Sequence, residues 1–305
     1  MYMDNMPLVS VAVVTYNSSK FVLETLESIK NQSYRNIELI VSDDCSIDDT
    51  VEVCREWIEK NKDRFVRTVL LESPVNTGVS ANGNRAADAC QGEWVKGIAG
   101  DDLLVEDCIE SYLQYVSSHP DAKMIFGRIQ AFGASEEKNR CFTNEIFRYD
   151  FFSFTIEEQL SYLISQRNCI PASTFFYNLN FARGNNIRND ETIPMLEDYP
   201  KWINILKKGI KFYFNDNVVV YYRLHENSLS TNNPSPKFKV SLELMFLKYL
   251  FKEQFKNKYY PSRYLLRKFI FAKHFSNEKD VFWNMIWKLG VLWDKVRGRR
   301  TEHFF

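Results

Sequence analysis

Through the first hundred residues, short apolar runs alternate with stretches of helical periodicity. LVSVAVVTYN (8–17) is the first run, a helical pattern follows from Lys20 to Asn31, NIELIVSDD (36–44) is the second run, and Thr50 to Lys60 is helical again. A third run, FVRTVLLE (65–72), precedes a small-residue helix around Ser80 to Cys90, and EWVKGIA (93–99) then leads into Gly100, Asp101 and Asp102. Strand alternating with helix predicts parallel βαβ units. Runs such as VAVV and LIV, apolar at consecutive positions, predict strands covered by helices on both faces. The expected fold is therefore α/β, a Rossmann-like, mostly parallel sheet flanked by helices.

Beyond Phe126 the pattern is less regular. A polar stretch spans Ala134 to Arg140, and the aromatic run Phe147 to Phe154 reads as a loop or flap. MLEDYPKWINILKKG (195–209) reads as a helix and KFYFNDNVVVYYRL (211–224) as a strand. Paired prolines in TNNPSPK (231–237) mark a boundary. This predicts a domain over 1–230, divided into halves at about 8–125 and 126–230, and a helical appendage over 231–305.

Composition changes this picture little until charge is mapped. The 305 residues are 45% hydrophobic, enough for a sizeable core, and carry no net charge. From Lys237 to the end, however, sixteen basic residues stand against six acidic ones. Within that region VFWNMIWKLGVLWDKVRGRR (281–300) reads as an amphipathic helix with an aromatic face closed by Lys295, Arg297, Arg299 and Arg300. Two readings stand for it: lying on an anionic membrane surface, or docking on protein. No zinc spacing or recognition motif points to nucleic acid.

The six cysteines show no C-x-x-C pair and read as reduced, buried thiols. The N-terminus lacks the basic region of a signal peptide, and no stretch approaches the length of a membrane span, so a cytoplasmic location is expected, peripheral at the inner face of the plasma membrane on the membrane reading of the basic region.

Ligands of such sheets collect beyond the carboxyl ends of the strands, where Tyr16, Asn17, Asp43, Asp44, Asp101 and Asp102 all fall. Asp101 and Asp102 are adjacent carboxylates that repel unless a cation shares their space, and a divalent ion bridging them to a diphosphate supplies one. The alternative is a turn capping a helix that begins near Val105. There is no G-x-G-x-x-G or P-loop, which argues against a dehydrogenase or a P-loop kinase.

Taken in order, SVAVVTYN, VSDDCSIDDT, NTGVSANGNRAADACQGEW, AGDD, LEDYPKW and YYRLHENSLS resemble the family 2 glycosyltransferases over roughly Leu8 to Ser230. The resemblance implies a GT-A fold and an inverting, metal-dependent transfer from a nucleoside diphosphate sugar, a UDP-sugar favoured, to a glycan or lipid-linked acceptor in bacterial surface polysaccharide synthesis. It places Thr15, Tyr16 and Asn17 at the nucleoside; Tyr16 in the core and Asn17 as a helix cap is the other reading. It makes Asp44 the acceptor for a base N–H, and Ser46 and Asp48 equally suit a capped turn. Asn76, Gly78 and Arg85 belong to the segment closing over the nucleotide, where Arg85 either pairs with phosphate or is a surface helix residue.

The same resemblance assigns Mn²⁺ or Mg²⁺ to Asp101 and Asp102, with Asp101 also beside the nucleotide and His225 near the ion. It makes Asp198 the general base, with Glu197 and Trp202 on the acceptor side. Trp202 and the aromatics from Tyr149 to Phe154 are candidates for a sugar-stacking wall, with core packing as the alternative. The acidic motif departs from the usual D-x-D-D form because its first position is Ala99. Two rival functions remain: a nucleotidyltransferase, for which TYNSSKF lacks a basic, glycine-rich loop, and a non-catalytic binding scaffold.

Overall fold

The computed structural model describes residues 6–143, 147–225 and 236–250. Eight strands form one sheet: β1 (Val9–Thr15), β2 (Ile37–Asp43), β3 (Arg67–Glu72), β4 (Trp94–Ala99), β5 (Leu103–Leu104), β6 (Met124–Phe132), β7 (Phe176–Asn178) and β8 (Tyr213–Arg223). Their order is β3-β2-β1-β4-β7-β6-β8-β5. The β3-β2-β1-β4 block is parallel throughout, as the sequence predicts. β7 is antiparallel to both β4 and β6, β8 runs parallel to β6, and β5 is antiparallel to β8. The second half of the chain therefore adds its strands to the same sheet.

The helices are α1 (Val22–Lys30), α2 (Thr50–Asn61), α3 (Val79–Ala89), α4 (Cys108–Ser118), α5 (Glu136–Cys141), α6 (Ile156–Ser165), α7 (Leu179–Gly184), α8 (Tyr199–Lys207) and α9 (Pro236–Met245). Period-two alternation assigns the two faces of the sheet. Val9, Val11 and Val13 with Ile37, Leu39 and Val41 cluster with Val22, Leu26 and Ile29 of α1 and Cys54, Trp57 and Ile58 of α2. Ala12 and Ile40 turn the other way, toward Ala86 of α3 and Leu179 of α7. Residues apolar on both faces are the ones that read as continuous runs.

Glu38 is a buried carboxylate among these apolar positions. It accepts from Ser10 Oγ, from the Gln91 and Gly92 N–H groups and, at 2.8 Å, from Arg67. Burial alone would raise its pKa, but these hydrogen bonds outweigh it and hold the carboxyl below its ordinary value. The network ties β1, β2 and β3 to the turn that enters β4.

Three local expectations change. Leu103–Leu104 is a short strand on β8 rather than the lead into a helix, and α4 starts only at Cys108. Because β5 follows β4 within four residues yet lies at the far edge of the strand order, the sheet curls round the Gly100–Asp102 turn. The polar stretch after β6 forms α5, capped by Ser135 accepting from the Lys138 N–H.

The aromatic run contains a 3-10 turn, Tyr149–Ser153, in which Phe151 and Phe152 are buried. Phe152 packs on Phe126 and stacks on Phe214. Trp202 is 0% exposed and meets Phe126, Phe175 and Phe212 edge-on, so it is core and has no face to offer a sugar. An amphipathic helix aims its apolar stripe inward, and Trp202 lies on that stripe of α8 with Ile203, Ile205 and Leu206.

The chain divides into two compact units, one of residues 1–163 and 167–234, the other of 164–166 and 235–305. In the second, the described part is α9 followed by a π-helical turn, Phe246–Leu250. The boundary segment's first five residues and the amphipathic stretch 281–300 lie outside the described residues. Among the described residues no helix is long and apolar enough to cross a membrane. Cys54, Cys90, Cys108 and Cys169 are buried free thiols, each pushed up to about 12 chiefly by burial; Cys45 is half-buried and Cys141 exposed.

Candidate active site

Three groups of polar residues lie on the first unit. The first forms where β1, β2 and β3 end. Thr15 Oγ1 donates to Asp43 at 2.8 Å, and Asp43 also accepts from the Ser46 N–H and hydroxyl. Asn17 has φ 51°, in the left-handed region that Asn tolerates. It does not cap α1: its N–H donates to Ser46 Oγ at 2.8 Å and its side-chain oxygen accepts from the Ile47 N–H at 2.9 Å. Tyr16, 50% exposed, projects from this clasped turn rather than entering the core. Asp48 joins two loops by accepting from Ser19 and Thr50.

Asp44 is almost fully buried. Its carboxylate accepts from the Thr77 N–H at 3.1 Å, Thr77 Oγ1 at 2.6 Å, the Gly78 N–H at 2.7 Å and Arg85 at 3.3 Å. Arg85 also donates to Thr77 Oγ1 at 2.8 Å and Asn82 Oδ1 at 2.9 Å. Asp44 and Arg85 thus meet each other and the loop before α3, while Asn76 on that loop is exposed. A nucleotide reaching Asp44 has to share or displace the Thr77–Gly78 loop.

The second group sits at the end of β4, next to the first because β4 pairs with β1. Gly100 is packed so closely on Thr15 and Ser18 that a Cβ would stand 2.8 Å from Thr15 Cγ2. The two carboxylates that follow diverge. Asp101 Oδ2 lies 3.0 Å from His225 Nε2, both side chains partly exposed. Asp102 is turned inward, 2% exposed, accepting from the Arg223 N–H at 2.9 Å. Burial, and then the neighbouring Asp101 charge, push its pKa well above the ordinary value. The expectation of two solvent-reached carboxylates sharing an ion therefore narrows to Asp101, with Asp102 anchoring the turn to β8.

Arg223 completes that anchor. Its Nε donates to the Asp101 carbonyl at 2.8 Å, its NH2 pairs with Glu24 at 2.9 Å, and its guanidinium lies over Phe21 and Phe132. Phe21 in turn packs against His225, ring centroids 4.9 Å apart.

The third group opens α8. Asp198 is its N-cap: one carboxylate oxygen accepts from the Tyr199 N–H at 2.6 Å, the other from Asn168 Nδ2 at 2.6 Å. Pro200, within the first turn, needs no amide donor there. Glu197 and Asp198 are each part-exposed at their surface yet hemmed in by protein. Desolvation, then Asp198, raise Glu197 to about 7; desolvation also raises Asp198, opposed by the Tyr199 and Asn168 hydrogen bonds.

The first and third groups are physically joined. Ser80 on α3 donates through N–H to the Pro194 carbonyl at 3.2 Å and through Oγ to the Ile193 carbonyl at 2.7 Å. Asn84 and Asn189 clasp: Asn84 Nδ2 donates to the Asn189 carbonyl at 3.0 Å, and the Asn189 N–H to Asn84 Oδ1 at 2.9 Å. Gly78, at φ 89°, permits this approach, since a Cβ would stand 2.7 Å from the Pro194 carbonyl. The segment carrying Glu197 and Asp198 is therefore strapped to the helix that follows the Asp44-bound loop.

Asn168, Thr77, Asn84, Asn189 and Arg223 escape the sequence reading. Arg223 stands two residues before His225, and Thr77 and Asn84 lie inside the NTGVSANGNR segment, motifs already singled out and a usable signal; Asn168 and Asn189 are polar residues in segments without periodicity.

A sheet whose parallel block ends in polar turns, followed by an acidic turn and a carboxylate-capped helix, is the arrangement of a GT-A transferase. The family model for glycosyl transferase family 2 matches residues 10–177, and the chain belongs to that family. It is 29% identical over 233 residues to the UDP-Glc:alpha-D-GlcNAc-diphosphoundecaprenol beta-1,3-glucosyltransferase WfaP of Escherichia coli, covering 74% of this chain and 81% of that one. It is 23% identical to the uncharacterized glycosyltransferase MJ1057 of Methanocaldococcus jannaschii, over 92% of this chain and 85% of the other. The crystal structure of S. aureus TarS in complex with UDP-GlcNAc shares the fold, with TM-score 0.61, 20% identity, and 87% of this chain and 73% of that one covered.

Proposed function

We propose that this glycosyltransferase moves a monosaccharide, with inversion, from a nucleoside diphosphate sugar to a hydroxyl of a lipid-linked or growing glycan, in synthesis of a bacterial surface polysaccharide. The observation that carries the reading is Asp198, a carboxylate fixed at both oxygens and strapped to the α3 end of the donor side. A base so held can take the proton of an acceptor hydroxyl as its oxygen attacks the anomeric carbon opposite the diphosphate. One displacement inverts that centre.

UDP is the favoured carrier, supported by the printed donor of WfaP and the ligand of TarS. Tyr16 offers its exposed ring to the base, where stacking contributes roughly 1–3 kcal/mol in comparable settings. Thr15, Asn17, Asp44, Asn76, Gly78 and Arg85 shape the nucleotide side, with Asp44 governing the loop and Arg85 turning to phosphate when that loop opens.

Asp101 and His225 present one oxygen and one nitrogen donor 3.0 Å apart. Among the described residues no group of three or more His, Cys, Asp or Glu gathers to hold a metal. The Asp101 carboxylate fits Mn²⁺ or Mg²⁺, the His225 nitrogen fits Mn²⁺ the better of the two, and the substrate's own phosphates would supply most of the remaining ligands. Such an ion, when bound, neutralises charge developing on the departing diphosphate. Asp102 serves that site by fixing the turn, not as a ligand.

The basic region from Lys237 onward we assign to an anionic membrane surface on the cytoplasmic side, supported by its charge and by the diphosphoundecaprenol acceptor named for WfaP. Truncation after Asn233 should then abolish sedimentation with anionic liposomes at low salt; unaltered sedimentation refutes the assignment. The reaction itself is tested with a panel of nucleotide sugars and Mn²⁺ or Mg²⁺, watching for nucleoside diphosphate release. Release from a UDP-sugar supports it; pyrophosphate release when a nucleoside triphosphate and a sugar 1-phosphate are supplied instead indicates a nucleotidyltransferase, and binding without turnover a scaffold.

A further inference from the structure

Asn168 lies in the segment before β7, thirty residues from Asp198 in sequence, and reaches it through a single hydrogen bond of 2.6 Å. Its own Oδ1 is fixed by the Ile170 N–H at 3.2 Å, which determines which end of the amide faces Asp198: the donor end. Asp198 therefore has a donor on each oxygen, Nδ2 of Asn168 on one and the Tyr199 N–H on the other. Among the described residues no equivalent side-chain donor reaches Glu197, although the two carboxyls are adjacent and share one desolvated corner.

We propose that Asn168 is a positioning residue for Asp198: by donating to one carboxylate oxygen while α8 donates to the other, it keeps the pair's negative charge on Asp198 and the pair's proton on Glu197. The inference rests on the reading of Asp198 as the base and explains how two neighbouring carboxyls take different roles. Adjacent, desolvated carboxyls do not readily ionise together, so whichever is better hydrogen-bonded as an anion ionises first. Glu197 accordingly holds its proton up to about 7, with desolvation and then Asp198 as the causes.

The other groups facing the pair do not make this choice. Lys201 is one turn along α8, donating to Asn189 Oδ1 at 2.9 Å, and acts on both carboxyls. Tyr199 sends its hydroxyl to the Leu163 carbonyl, and Cys169, beside Asn168, is a buried thiol. Among the described residues only the Asn168 amide distinguishes one carboxyl from the other by a side-chain bond.

The test is a carboxyl titration by ¹³C NMR on the full chain labelled at Asp and Glu side-chain carbons, with Asp198→Asn and Glu197→Gln used for assignment. In Asn168→Ala the Asp198 midpoint should rise by about one pH unit, the scale of a lost hydrogen bond to a carboxylate, and the Glu197 midpoint should fall in compensation. Asn168→Asp keeps size and the acceptor for the Ile170 N–H but replaces the donor with a third carboxyl. It should raise Asp198 further than Ala does, whereas a merely structural role predicts the smaller effect for Asp. Unmoved midpoints in both variants, or a smaller shift in Asn168→Asp than in Asn168→Ala, overturn the proposal. Should the alanine variant fail to fold, Asn168→Asp against the parent carries the same test. The titration needs no turnover, so it stands apart from the base reading, which falls if Asp198→Asn retains activity or loses less of it than Glu197→Gln.

Discussion

Gly78 is a point where the Thr77–Gly78 loop and the segment leading into α8 touch, and Gly78→Ala perturbs both. At φ 89° and ψ 161° the residue occupies a region essentially reserved for glycine, where a side chain costs about 1–3 kcal/mol. Its new Cβ would stand 2.7 Å from the Pro194 carbonyl oxygen and 2.8 Å from Pro194 Cβ, neither of them a flexible side-chain end. Relieving that overlap by shifting backbone adds roughly 1–3 kcal/mol. The expected destabilisation is therefore about 2–6 kcal/mol, read from urea unfolding followed by tryptophan fluorescence. Gly97→Ala on β4, where a Cβ meets nothing within 4 Å, is the control. Because Pro194 stands four residues before Asp198, the displaced strap should also lower turnover, and a misplacement near 1 Å is worth ~10²-fold. If Gly78→Ala matches Gly97→Ala in stability and keeps full turnover, the strap does not exist as described.

Glu38→Gln should lose about 2–4 kcal/mol near pH 7, because a buried anion with Arg67 and two backbone N–H partners is replaced by a neutral amide. Its folded pKa is depressed, so the stabilisation is present above the unfolded value near 4.5 and fades as pH falls through the folded one; urea midpoints of the two proteins should converge in acid. Asp101→Asn should weaken Mn²⁺-dependent UDP binding by calorimetry while leaving the melting temperature near the parent's. Asp102→Ala should do the reverse first, lowering stability by roughly 1–3 kcal/mol because the Arg223 N–H is left without its acceptor. Turnover against pH should show an acid limb above the range of an exposed Asp, since desolvation raises the Asp198 pKa and the base works only when ionised; a limb at ordinary carboxylate pH would contradict its burial.

The parallel block was legible because β1, β2 and β4 are buried on both faces and leave long apolar runs, and its strand ends carry most of the candidate chemistry. β5 and β7 were not, since two or three residues such as Leu103–Leu104 carry no period. Asp102 shows the limit for the site: adjacent residues at a strand end point to opposite sides, so one carboxylate of the pair faces out to His225 and the other faces the β8 backbone. Trp202 illustrates the complementary case, an aromatic whose place on the apolar stripe of α8 outweighed its nearness to Asp198. The Asn84–Asn189 clasp joins positions 105 residues apart, and single polar residues at that separation leave no local pattern.

The central claim is that Asp198 takes the proton of the acceptor hydroxyl, and Asp198→Asn tests it directly, with Glu197→Gln beside it. The amide keeps size and one of the two acceptor oxygens, gives up the hydrogen bond at the other, and cannot receive that proton. Donor affinity, measured with UDP and Mn²⁺ by calorimetry, should be unchanged while turnover of the accepted nucleotide sugar falls by ~10²–10⁴-fold, and by less in Glu197→Gln. A larger loss in Glu197→Gln would move the base one position along the chain, and normal turnover in both would remove it from α8.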